Sequence, residues 1–172
     1  MILSLLSVIA FVAVVLYFGP LRARRLRMNR QSWSALIAGL RHDWSARELS
    51  DQFLWKEGLS ATPEEAWERI NGAHGLWAMF QNAQIMVEMA EFASRTSDSI
   101  EPTVLETLRV NAEQIRLYVL KAVDEYACSQ ATESVQENAF CAAFLYTRMA
   151  ARLTRLLQEH AATALPDFVA AM

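Results

Sequence analysis

Glu88 and Glu91 stand one helical turn apart inside a predominantly apolar stretch, Leu76 to Ala93. Two carboxylates at that spacing share one side of a helix, where they can chelate a hard cation or serve as acid and base. His74 lies between Gly72 and Gly75, with Trp67 and Trp77 nearby. A notch of small residues flanked by tryptophans can admit a flat ligand, or it can let a second helix approach closely. Glu88, Glu91 and His74 are therefore the candidates for a ligand- or metal-binding bundle, a sensor or an enzyme. The competing reading is structural. With Gln81, Gln84 and Arg95 the two acids form one polar line, the ordinary outer face of an amphipathic helix.

No stronger chemical motif is present. Three histidines occur in neither H-E-x-x-H nor E-x-x-H, no G-x-S-x-G exists, and five glycines form no phosphate loop. No catalytic residue and no cofactor is expected, and a non-enzymatic role is favoured. Arg148, Arg152 and Arg155 make a basic line suited to an acidic partner, although Glu106 and Glu113 stand ready to pair with such a line.

The elements that must carry these residues read as helices. Thr62, Pro63, Glu64 and Glu65 form a strong helix start: a cap, a proline at the first position and two acids on the positive end of the dipole. This helix is expected over 63–95, weakened at Gly72 and Gly75. Its second half is apolar around most of its circumference, which suits a central or partner-covered helix. Trp77, Met79, Phe80, Met86 and Met89 are the expected interaction face, since methionine suits adaptable contacts.

Further helices are expected over 102–129 and 132–162. Leu105, Leu108, Ala112, Ile115, Val119, Ala122 and Tyr126 form a heptad seam, as do Val135, Ala139, Ala142, Tyr146, Met149, Leu153 and Leu156. The seams match as an antiparallel hairpin whose facing residue numbers sum to 261. That register sets Glu113 near Arg148 and Glu106 near Arg155. It keeps Cys128 and Cys141 about 12 Å apart, outside disulfide reach. Two short helices are expected ahead of the long ones. One carries Trp33, Leu36, Ile37, Leu40 and Trp44 on a single face, and the other starts at a Ser45–Glu48 capping box.

The first stretch of the chain sets location. Ile2 to Leu21 is free of charge and long enough, at about 1.5 Å per residue, to span the roughly 30 Å bilayer core. Arg22, Arg24, Arg25, Arg27 and Arg30 follow as a basic collar. No basic residue precedes the run, which argues against a cleaved signal peptide. By the positive-inside rule the N-terminus lies outside and the remainder is cytoplasmic. The collar takes five of the 16 basic residues, leaving eleven against 19 acids, a net −8 over residues 31–172. An acidic body argues against nucleic-acid binding.

The expected protein is all-α: a single transmembrane helix followed by an antiparallel bundle of three long and two short helices. Its parts are the anchor at 1–21, a collar and amphipathic helix at 22–44, the bundle at 45–165 and a tail at 166–172. Trp33 and Trp44, with the collar arginines, are expected at the membrane interface, unless the 31–44 helix packs on the bundle instead. The expected function is that of a membrane-anchored interaction or scaffold protein. It would contact the bilayer and either a membrane-associated protein or a second copy of itself through a helical face.

Overall fold

In the computed structural model, residues 32–41, 62–97, 100–128 and 131–171 are described, and every regular element among them is helical. These are α1 (Trp33–Ile37), α2 (Pro63–Arg69), α3 (Gly72–Thr96), α4 (Pro102–Cys128), α5 (Glu133–His160) and α6 (Leu165–Ala171). Trp33–Met172 fold as one unit. No helix among the described residues is long and apolar enough to cross a membrane. The expected span, the arginine collar, Trp44 and the helix after Ser45 all lie outside the described residues.

Three long helices, α3, α4 and α5, make the body. The start of α2 is built as its sequence predicts. The Glu65 amide donates to Thr62 Oγ1 at 3.3 Å, and the Thr62 amide donates to Glu65 Oε2 at 3.1 Å. This capping box satisfies two otherwise orphaned amides. At α5, Thr132 caps through a 3.3 Å bond from the Val135 amide.

The single helix expected over 63–95 is instead two. The chain breaks after Arg69, where Asn71 (φ 61°) and Gly72 (φ 57°) both take the left-handed conformation. Asparagine and glycine tolerate that region better than other residues, so the pair makes a turn where a helix would otherwise continue. A Cβ at Gly75 would overlap the Ile70 carbonyl oxygen, and one at Gly72 would press on the Trp67 ring at 3.1 Å. The glycines therefore do more than weaken a helix: they fold α2 back against the start of α3.

Directions follow from side-chain pairs. Glu91 meets Arg109, and Phe80 meets Arg116, so α3 and α4 are antiparallel. Asn82 meets Tyr146, and Ser97 meets His160, at nearly constant separation, so α3 and α5 are parallel. The two expected seams supply the core. Leu108, Ala112, Ile115, Val119 and Ala122 of α4 are buried, as is the whole α5 seam from Val135 to Leu156. The ends of the α4 seam depart from this: Leu105 is half-buried, and Tyr126 is exposed beside Trp67 at 5.3 Å between ring centroids.

The charge partners expected from the hairpin register are replaced. Arg109 joins Glu91 at 3.0 Å and Glu106 at 3.6 Å, while Arg148 lies over Phe144 at 5.5 Å. Both cysteines are free thiols, Cys128 exposed and Cys141 partly buried, the latter with its pKa raised by burial and by the nearby Glu137 carboxylate. Most of the expected tail at 166–172 is helical: α6 begins at Leu165, with Pro166 in its first turn, and buries Phe168 and Ala171 against the bundle.

Candidate functional site

The polar line on α3 is a set of local pairs. Gln84 Nε2 donates to Glu88 Oε1 at 3.2 Å. Glu91 accepts from Arg109 at 3.0 Å and lies 4.0 Å from Arg95, with 14% of its side chain exposed. This carboxylate already balances two guanidiniums, which leaves little charge to offer a cation. His74 is exposed, fourteen residues before Glu88 on the same helix. At helical rise that separation is about 21 Å, so His74 cannot share a ligand with the two acids. Among the described residues no group of three or more His, Cys, Asp or Glu could hold a metal ion. The glycine notch is occupied by the chain itself, with Trp67 against Gly72 and the Ile70 carbonyl against Gly75.

The expected interaction face divides. Met79, Met86 and Met89 are fully buried in the bundle core. They fill space between α3, α4 and α5 and cannot meet a partner. Trp77 remains 43% exposed and meets half-buried Phe80 edge-on at 5.4 Å. The Arg116 guanidinium sits 4.6 Å above the Phe80 ring, a cation–π contact that ties this corner to α4.

The outer side of α4 extends the patch, and the sequence reading missed it. Val110, Leu117 and Leu120 are 42%, 53% and 48% exposed. Val110 and Leu117 are one heptad apart and point away from the core seam. Leu120 lies one turn beyond Arg116, the direction in which antiparallel α3 carries Trp77. The signal was present: these residues repeat at seven and three, a second seam behind the one assigned to the core.

On α1, Leu36 and Ile37 are buried, as is Leu40 just beyond it, and Trp33 packs edge-on against Phe92 of α3 at 4.9 Å. Of the face considered for the membrane interface, Trp33, Leu36, Ile37 and Leu40 are in contact with the bundle. The chain then reaches Arg41, whose backbone is held by Asn82. The Arg41 amide donates to Asn82 Oδ1 at 2.8 Å, and Asn82 Nδ2 donates to the Arg41 carbonyl at 3.0 Å and to Tyr146 Oη at 2.9 Å. Asn82 is 2% exposed and Tyr146 1%. Burial pushes the Tyr146 phenol well above its usual range, against a smaller lowering effect of the Asn82 hydrogen bond. This buried node also escaped the sequence reading.

No protein-family model, no curated protein and no solved structure matches this chain. Its function must be argued from its own surfaces.

Proposed function

We propose that this chain is a membrane-tethered helical interaction protein that pairs with a second copy of itself through the outer side of α4, bordered by Trp77 and Phe80. The observation that carries this reading is the exposed line Val110–Leu117–Leu120 on an otherwise amphipathic helix. Apolar side chains aligned on one helix are a contact surface in search of another. The neighbouring charges favour a copy of the same helix. In an antiparallel pairing about a two-fold axis at Leu117, the two Leu117 side chains meet, and Glu113 faces Lys121 twice. Such self-complementarity is what an isologous contact requires.

The charge-free stretch 2–21 and its arginine collar support the tether, with the N-terminus outside and the bundle cytoplasmic. Confinement to a membrane raises the effective concentration of one copy around another, so a modest patch suffices.

The test is a crosslink in the full chain. With Cys128 replaced by serine, L117C should form an inter-chain disulfide under mild oxidation in native membranes. The V110S/L117S pair should weaken dimerisation by about tenfold or more by light scattering in detergent. A monomer that gives no L117C crosslink, while membrane crosslinking retrieves a different protein, would assign this surface to that partner and overturn self-pairing. Alkaline phosphatase fused to the C-terminus should be inactive, and an active fusion would reverse the topology.

A further inference from the structure

Where α4 begins and α5 ends, the two helices leave a cleft of about 500 Å³. That volume falls in the roughly 300–1,000 Å³ range of small-molecule sites. Ile100, Val104 and Leu156 give part of its wall an apolar character, and Arg152 and Arg155 bring two guanidiniums to it from adjacent turns of α5.

Among the described residues none forms an ion pair with these arginines. Glu106, the carboxylate the hairpin register set beside Arg155, pairs with Arg109 instead. The two acids that line the cleft keep their charge but turn to neighbours other than the arginines. Glu101 accepts from Thr103 Oγ1 at 3.1 Å, and Glu159 lies 3.8 Å from His160 Nε2. Among the described residues no carboxylate is within ion-pair distance of Arg152 or Arg155. The hydroxyl protons are spent as well: Thr107 Oγ1 donates to the Thr103 carbonyl at 2.7 Å. The hydrogen-bond donors left for a ligand are chiefly the two guanidiniums.

We propose that this cleft binds a phosphate monoester carrying a short apolar chain. Two forked cations one turn apart match the oxygens and the double charge of such a group, whereas a carboxylate balances only one of them. The apolar wall of Ile100, Val104 and Leu156 takes the chain. The same chemistry is offered by a soluble alkyl phosphate and by the headgroup of phosphatidic acid.

The experiment is calorimetric titration of the full chain in detergent micelles with n-hexyl phosphate. Saturable one-to-one binding is expected, with inorganic phosphate weaker by about tenfold because it lacks the apolar part. The R152Q/R155Q pair should lower the hexyl phosphate affinity by about tenfold or more, while R148Q, on the same helix outside the cleft, leaves it unchanged. Both substituted arginines are exposed, so the variants should keep the parent melting temperature. Competition by nanodiscs containing phosphatidic acid, but not by phosphatidylcholine nanodiscs, would make the source a lipid headgroup. Binding of hexyl phosphate without that competition would make it a soluble phosphate. Absence of saturable binding, or binding indifferent to R152Q/R155Q, overturns the proposal.

Discussion

Helix α3 builds two polar clusters less than three turns apart, and they differ in nearly every physical respect. At Asn82 a carboxamide is buried between helices and meets the backbone of Arg41 and the phenol of Tyr146. At Glu91 a carboxylate near the surface meets two partly exposed arginines, one of them, Arg109, with 47% of its side chain exposed. The second cluster carries full charges and the first carries none. Yet the neutral cluster has the larger structural role, because Asn82 and Tyr146 are buried where water does not replace a lost partner. Around Glu91, solvent competes for every bond and screens the charges.

The sharpest way to break this contrast is Asn82→Ala. It strips the Arg41 amide and carbonyl of their partner and takes one partner from Tyr146. The expected cost is about 2–4 kcal/mol, read as a lower urea midpoint at unchanged slope. A cost near that of a surface substitution would mean that the node is incidental.

Tyr146→Phe should cost less, about 1 kcal/mol, since it removes one hydroxyl and leaves the Arg41 contacts in place. It also sharpens the comparison through pH. Burial raises the Tyr146 pKa above the ordinary phenol value of about 10. Above that value the unfolded chain loses a proton that the folded chain keeps, so stability is full below about pH 10 and falls as pH rises beyond it. The phenylalanine variant should show a flatter alkaline limb. An unchanged limb would assign the alkaline loss to other groups.

Glu91→Gln is the smallest of the three. At low salt it should cost about 0.5–1 kcal/mol, shrinking toward zero at about 1 M salt as screening removes what the ion pairs supplied. A larger, salt-independent loss would place Glu91 in the same class as Asn82.

The contrast also explains what the sequence could and could not reveal. The acids at 88 and 91 attract attention as charges in an apolar run, and they are ordinary local pairs. Asn82 is easy to pass over beside Gln81 and Gln84, as one more polar residue. Its position distinguishes it: it falls between Met79 and Met86, on the side of α3 that is buried. A polar residue at a core position demands a buried partner, and Tyr146, the one phenol in the α5 seam, is the group with a hydrogen bond to share. The long helices and their seams were readable because a three-and-four repeat survives any tertiary arrangement. The break at Asn71–Gly72 was not, because two adjacent left-handed residues depend on Trp67 and Ile70 packing back upon them. The assignment of the methionines failed for a related reason. An all-round apolar helix can be covered by its own bundle or by another protein, and its sequence is the same in both cases.

Asn82 has one more consequence. Its carboxamide treats Arg41 as a neighbouring strand would, giving and taking one bond at the main chain, in the manner of a single rung of a β-ladder. Every residue except proline offers that rung. The bundle thus grips the incoming chain by a handle common to nearly all amino acids; the Arg41 side chain adds only an exposed bond of its own, from Nε to Gln81 Oε1 at 3.0 Å, so a substitution at position 41 forfeits that bond while the point of attachment stays put.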